Sequence, residues 1–324
     1  MPPEKCAYCP AQEFDPWLEG VTDRLGIAPG TFSFWRCRQC GSGVLHPAPR
    51  PEELAALYPE VYSFHPGVAK GGKLKELIAG LEERFFFQLQ YQAQYKTMGR
   101  VMGPPPPGAR LLDVGCGVGQ RLRAFRGLGY DVHGLDFLPS VVEHLRTQGI
   151  EATCGDLMQL DTLFPEKSFD VVTAFQVVEH VHDAKALLGR CFRLLRPRGW
   201  LMATIPMGDS FQARWLKERW CGAREAPRHL NLPSHEGLQH ACRALGFDRV
   251  EIRPDSLLNC AGLVGLSLLP DAATTTVYAE GSARAVVNRA LGAAVTLASL
   301  PLCYLEGHVA DRPATALVFA QKPG

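Results

Sequence analysis

The sequence predicts an α/β fold: a parallel sheet with helices on both faces, preceded by a small cysteine-rich ribbon. Three observations carry this reading. From residue 108 onward, strand-like and helix-like segments alternate, the pattern of a parallel sheet covered on both sides. The first of those strands, "RLLDV", runs straight into three glycines spaced by single residues, Gly115, Gly117 and Gly119. Two C-x-x-C pairs open the chain, Cys6 with Cys9 and Cys37 with Cys40.

Composition sets the bounds. A chain of 324 residues is long for one domain and short for two large ones. With 46% hydrophobic and 21% charged residues, it can bury a full-sized core. A net charge of +1 gives no global attraction to nucleic acid or acidic lipid. The opening "MPPEKCAYCP" has no basic segment followed by an apolar run, so no signal peptide is read and the cytoplasm is the default compartment. Eleven cysteines would mean disulfides in a small secreted chain, which this one does not resemble. Cys116, Cys154, Cys191, Cys221, Cys242, Cys260 and Cys303 stand in mostly apolar surroundings and read as buried small hydrophobes.

Residues 1–50 form the ribbon. Two C-x-x-C knuckles separated by 27 residues can close one tetrahedral site of four thiolates. Such a set favours zinc, and with every position filled the metal's role is structural. A redox dithiol needs only one pair and a thioredoxin-like setting, which the sequence does not offer. Between the knuckles, Trp17, Phe32, Phe34 and Trp35 supply short strands and a small apolar lid. Residues 51–107 read as a helical linker. Pro51 followed by Glu52 and Glu53 starts a helix with acids at the positive end of its dipole. Tyr58, Tyr62 and Phe64 read as packing or substrate-wall residues. A longer helix is expected from Lys73 to Met102, and "GPPPPG" then forms a stiff connector and the main domain boundary.

Within residues 108–324 the order is regular. "RLLDVG" is the first strand and residues 118–128 the first helix. "VHGLD", a helix over Pro139 to Gln148 and "ATCGD" follow. "FDVVTAF" is the fourth strand, "DAKALLGRCFRLLRP" a helix and "GWLMATIP" the fifth strand. A helix from Pro233 to Leu245 leads to "FDRVEIRP", and "TALVFAQKP" closes the set.

Ligands of such sheets bind beyond the carboxyl ends of the strands, where strand order reverses. The glycines there read G-x-G-x-G, with Asp113 before them, rather than the G-x-G-x-x-G that cradles a pyrophosphate. No lysine follows them as in a P-loop. Asp136 ends the second strand about 20 residues further on, where an acid takes both ribose hydroxyls. Asp156 ends the third, where a carboxylate can accept from an adenine amino group. Phe137 and Leu157, beside these acids, can sandwich the ring. Together these residues describe a nucleoside without phosphates.

At this point the chain resembles the class I S-adenosylmethionine-dependent methyltransferases. The carrying motifs are "LLDVGCGVG", "GLD", "GD", "FDVVTAFQVVEHV" and "LLRPRGWLMATIP", in that order across residues 110–324. The resemblance implies a Rossmann-like seven-stranded sheet whose last strand is antiparallel, with "TALVFAQKP" returning between the fifth and sixth strands. It implies S-adenosylmethionine as cofactor, its methionine part over the glycines and its amino group held by strand-end carbonyls and Asp113. Gln176 is counted in the cofactor's lining. "FQVVEHV" and "PRHLNLPSHEGL" resemble the ubiquinone-biosynthesis O-methyltransferase-like group and its relatives in glycan and natural-product clusters, several of which carry an N-terminal zinc ribbon. The acceptor implied is a small molecule, a sugar or glycan, or a natural product, methylated on oxygen. Carbon or nitrogen methylation of a similar acceptor is the alternative. A nucleic-acid methyltransferase is less favoured, because it expects a basic stripe. The ribbon instead mixes Arg36 and Arg38 with Glu4, Glu13, Asp15 and Glu19, and "FQVV" stands where an amino-methylating enzyme has [DN]-P-P-[YF].

A hydroxyl acceptor needs help from a base. Glu179 and His180 follow the fourth strand, at the rim where acceptor meets cofactor. His180 is the candidate base, with Glu179 as its orienter or a metal ligand. In the resembling group this segment binds a divalent metal through two glutamates and the histidine, and here Gln176 replaces the first glutamate. His229, in "APRHLNLPS", is the second catalytic candidate, in the loop that covers the acceptor pocket in that group. Arg228 beside it suits a carboxylate or phosphate on the acceptor. Asp183 is expected to cap the next helix. Residues 255–312 form an apolar insert. Its two stretches, "LLNCAGLVGLSLLP" and "ALGAAVTLASLPLCYL", each fall short of the ~20 residues of a spanning helix. Two helices packed against each other, the lid or a second subunit in a homodimer is the first reading. Contact with a membrane surface or a lipid-linked acceptor is the second.

Overall fold

The computed structural model describes residues 2–58, 88–269 and 283–324. Tyr62, Phe64 and the first part of the helix expected from Lys73 lie outside the described residues. The second part is the helix Gln88–Met102. The strands are β1 (Phe14–Val21), β2 (Phe32–Cys37), β3 (Gly43–Leu45), β4 (Arg110–Val114), β5 (Asp131–Asp136), β6 (Glu151–Cys154), β7 (Phe169–Phe175), β8 (Leu195–Pro206), β9 (Asn231–Leu232), β10 (Arg249–Pro254) and β11 (Thr315–Gln321).

Seven of them form one sheet in the order β10-β11-β8-β7-β4-β5-β6. Only β11 runs against its neighbours, pairing antiparallel with both β8 and β10. The last strand therefore sits where the sequence motifs imply. Leu111, Leu112 and Val114 of β4 are wholly buried, as expected for a parallel strand covered on both faces. Strand order reverses at β4, whose neighbours are β5 and β7, so the ligand crevice opens at their carboxyl ends.

Two local expectations change. The helix after β7 spans Ala184–Leu194 and stops short of Pro197, so that "LRP" already belongs to β8. Pro197 disfavours helical backbone at Arg196, and the amides of Lys167 and Ser168 take the carbonyls of Arg193 and Leu194 at 3.0 and 2.9 Å. Asp183 does cap this helix, accepting from the Ala186 amide. Cys154 is exposed rather than buried, because it ends β6 at the outer edge of the sheet.

The ribbon strands β1, β2 and β3 are antiparallel, and β9 from the larger unit adds a fourth strand to them, with Val44 opposite Asn231. Leu18, Val21, Phe34 and Leu45 share one apolar cluster with Leu216, Trp220, Leu230 and Leu232. In the insert, the helices Leu257–Leu268 and Ala283–Tyr304 pack against each other around Cys260, Ala261, Val264 and Cys303. Among the described residues, no helix is long and apolar enough to cross a membrane.

Candidate active site

The loop after β4 folds back onto β5, with Gly115 and Cys116 both donating to the Leu135 carbonyl at 2.8 and 3.0 Å. Gly115 and Gly117 have φ of +71° and +50°, the left-handed region that favours glycine. A Cβ on Gly115 would meet Val177 Cγ2 at 2.7 Å, so packing demands that glycine. One on Gly117 would meet nothing within 4 Å. Gly117 looks onto open space, the room a ligand needs to lie along the backbone. Gly119 forms the N-cap of the helix Gln120–Gly127.

Asp136 is buried and accepts from the Gly117 amide at 2.9 Å and the Leu138 amide at 3.1 Å. It thus ties the glycine loop to the end of β5. Asp156 is exposed and accepts from the Met158 amide at 2.8 Å. Phe137 is exposed at the crevice, and Leu157 is partly buried at the start of a short helical turn. Asp113 lies behind the glycines and accepts from Thr173 Oγ1 at 2.6 Å. Burial pushes its carboxyl up to about 6, against that bond and the charge of Arg121. Arg121 is a residue that motif reading missed. Its guanidinium lies 3.8 Å over Phe175 and 4.4 Å over Tyr91, and it donates to Gln94 Oε1 at 2.6 Å. Gln176 is exposed at the end of β7 with φ of +55°, a conformation that costs a non-glycine residue about 1–3 kcal/mol. Its amide and side chain both bond to Thr204, which holds that conformation.

Beyond β7, Glu179 and His180 form a short turn, and His229 comes to meet them from a distant part of the chain. The His180 and His229 rings lie 4.7 Å apart, edge to face. His180 Nδ1 is 3.1 Å from the Arg228 carbonyl and 2.9 Å from Tyr58 Oη; His229 Nδ1 is 2.7 Å from the Gly222 carbonyl. A carbonyl only accepts, so each Nδ1 carries the proton and each Nε2 keeps a lone pair. Burial holds His180 down to about 3 and His229 down to about 4, and each is neutral at ordinary pH. Tyr58 also packs edge-on against Phe137, with ring centroids 5.8 Å apart, so it joins the histidine pair to the exposed ring after β5.

Glu179 does not hold the His180 ring; Tyr58 and the Arg228 carbonyl do. Both Glu179 oxygens are buried with no hydrogen-bond partner among the described residues. Arg228 is likewise not offered to an acceptor. It is fully buried, bonded to both Asp23 oxygens at 2.6 and 3.1 Å and to Glu225 at 3.0 Å. Arg24 pairs with the same Glu225. This largely buried quartet clamps the His229 loop to the ribbon, and nothing in local spacing announces it.

Ligating atoms of Glu179, His180 and His229 all lie within 4.8 Å of one another. Two imidazoles with no partner at Nε2 and a carboxylate without a hydrogen bond, among the described residues, are a donor set that suits a divalent cation, whereas Gln176 lies outside this cluster. Such an ion would lower the pKa of a hydroxyl bound to it. Without one, burial and the nearby Glu225 push the Glu179 carboxyl up to about 8. A folded value above the ordinary 4.5 means the folded chain binds the extra proton, so stability falls as pH rises from about 4.5 through 8. Thermal melts in EDTA are expected to show wild type losing ground to Glu179→Gln across that window; parallel melting profiles would count against it. The histidines act at the other end. Their depressed values predict stability lost as pH falls below 6.5 toward 4 and 3.

Comparison with known proteins adds to this geometry. The family profile described as "Methyltransferase domain" matches residues 87–252. A ubiquinone biosynthesis O-methyltransferase from Rhodopseudomonas palustris (strain BisB5) is 34% identical over 128 residues, covering 34% of this chain and 49% of the relative. A "Probable S-adenosylmethionine-dependent methyltransferase" from Mycolicibacterium smegmatis is 30% identical over 136 residues, covering 41% of this chain and 51% of the relative. The chain thus spans about half the length of the curated relatives it matches. Among solved structures, Haemonchus contortus phosphoethanolamine N-methyltransferase 2 in complex with S-adenosyl-L-methionine aligns with a TM-score of 0.51 at 22% identity. That alignment covers 73% of this chain and 53% of the other, a likeness of fold.

Proposed function

We propose a function from the premise that this chain belongs to the methyltransferase-domain family and is a class I S-adenosylmethionine-dependent methyltransferase: it methylates a hydroxyl of a small-molecule, glycan or natural-product acceptor. When bound, the cofactor supplies an electrophilic methyl group on a sulfonium. The chain's residues do the rest. Asp136 takes the ribose hydroxyls, Phe137 and Leu157 flank the adenine, and Gly117 leaves room for the methionine part. Arg121 offers a cation to the cofactor's carboxylate. His180 accepts the acceptor's proton at Nε2, with His229 and Glu179 beside it. Alignment of acceptor and methyl group supplies much of the rate.

The observation that carries the oxygen acceptor is the position of Glu179, His180 and His229 beside the Tyr58–Phe137 contact. Neutral proton acceptors there suit a hydroxyl, which must lose its proton to react. The O-methyltransferases among the relatives support the same reading. The test is incubation with methyl-labelled S-adenosylmethionine and a panel of phenols, catechols and sugars. Label on oxygen is expected; label on carbon or nitrogen would overturn the reading.

We assign zinc to the ribbon. Cys6 and Cys40 sulfurs are 3.6 Å apart, those of Cys9 and Cys37 are 3.5 Å apart, and all four are buried within 4.8 Å of one another. The Cys6 thiol, within hydrogen-bond reach of Cys40, lowers the pKa of the Cys40 thiol. Elemental analysis of the purified chain is expected to give one zinc, lost in Cys37→Ser.

An acceptor linked to lipid is a second reading, favoured by Leu291, Leu297, Tyr304, Leu305 and Val309, which the insert leaves about half exposed or more. Sedimentation with phosphatidylglycerol vesicles is expected to carry the chain down and to fail for Leu297→Asp with Val309→Asp.

A further inference from the structure

We propose that Tyr8 is a positioning residue: through Asn231 it ties the four-cysteine cluster to the 178–181 turn that carries Glu179 and His180. Tyr8 stands between Cys6 and Cys9, so closure of that knuckle places its ring, and its amide donates to Cys6 Sγ at 3.4 Å. The ring is wholly buried and its hydroxyl donates to Asn231 Oδ1.

Asn231 is buried too, and its Nδ2 faces the carbonyls of Val178 at 3.1 Å, Val181 at 2.9 Å and Glu179 at 3.4 Å. Carbonyls only accept, so the amide must turn its nitrogen to the turn and its oxygen to Tyr8. One carboxamide thus holds three carbonyls of the turn on one side and a metal knuckle on the other. The Leu230 amide reinforces it, donating to the Glu179 carbonyl at 2.8 Å. The same knuckle also touches the next helix, where the Lys185 amide donates to the Ala7 carbonyl at 3.2 Å. Loss of the metal should therefore loosen the turn as well as the ribbon. The second knuckle is anchored elsewhere, through Ser234, at the helix His235–Ala244.

The inference rests on the zinc and the catalytic turn proposed above, and its test separates them. The full zinc-loaded chain is compared with Tyr8→Phe and Asn231→Asp, and with Tyr130→Phe, a buried tyrosine at the opposite ends of the strands. Four quantities are read: zinc content, S-adenosylmethionine affinity by calorimetry, amide hydrogen exchange across residues 177–182, and the His180 ring signal in histidine-labelled protein. Tyr8→Phe and Asn231→Asp are expected to keep their zinc and to bind cofactor within twofold of wild type. Exchange in the turn should rise at least tenfold, and the His180 signal should move. Tyr130→Phe should change neither. An unchanged turn and ring signal in folded, zinc-loaded Tyr8→Phe would overturn the proposal. If that variant loses zinc or fails to fold, Asn231→Asp decides, since the side-chain hydrogen bonds of Asn231 go to Tyr8 and the turn and none to a cysteine among the described residues. A turn that exchanges equally slowly after zinc removal would overturn the link to the cluster. Wild type purified without zinc would fault the zinc assignment alone.

Discussion

Replacing His180 with alanine is expected to lower kcat by ~10²–10⁴-fold and leave S-adenosylmethionine affinity unchanged. The ring is held by Tyr58 and the Arg228 carbonyl on one nitrogen, and the other has no hydrogen-bond partner among the described residues. Burial keeps it neutral down to about pH 3, so the acid limb of the rate profile should lie well below that of an ordinary histidine. His229→Ala should follow in the same direction, because its ring faces His180 at 4.7 Å. Brief EDTA treatment divides the two routes open to this cluster. Activity that stops and returns with a divalent ion means that Glu179, His180 and His229 hold a metal. Activity that persists means a histidine base alone. Zinc in four thiolates should resist the same treatment. Normal turnover in both alanine variants would show that proximity carries the reaction without a base.

Asp136→Ala is expected to weaken S-adenosylmethionine binding about 100-fold. Two ribose hydroxyls bonded to a carboxylate contribute ~1.5 kcal/mol or more each, and ~1.4 kcal/mol is a factor of ten. The free chain adds a second reason, because Asp136 also holds the amides of Gly117 and Leu138. The variant therefore loses order in the glycine loop as well as a ligand contact. Asp156→Ala serves as the comparison: that carboxylate is exposed and bonds one amide, so its loss should cost far less. Calorimetry showing unchanged affinity for Asp136→Ala would sink the placement of the cofactor. Titration with NAD is the control and is expected to show no binding.

Much of the fold was legible because it is written in short-range patterns. The G-x-G-x-G run, the strand-end acids and the paired cysteines each depend on a handful of neighbouring residues. Helix ends were less so. The stop at Leu194 depends on amides from residues 167 and 168, which no local window contains. Gln176 and Glu179 could be read as site positions, yet their states could not, since a strained backbone and an orphaned carboxylate depend on what packs around them.

By itself the sequence determined the alternating sheet, the crevice at the ends of β4 and β5, the cofactor class and the four-cysteine cluster. The sheet, the crevice and the cysteine cluster follow from backbone geometry and ligand spacing, which neighbouring residues set; the cofactor class came from the resemblance of the motifs to a known family. Only the tertiary structure decided the rest. It buried Arg228 against Asp23, 205 residues away, and so removed it from the acceptor's reach. It brought Tyr8 to Asn231 across 223 residues and made β9 a strand of the ribbon. Whether a polar side chain serves a ligand or another side chain depends on which partners reach it first in a closely packed interior. That contest is settled by packing between distant segments, where sequence spacing carries no signal.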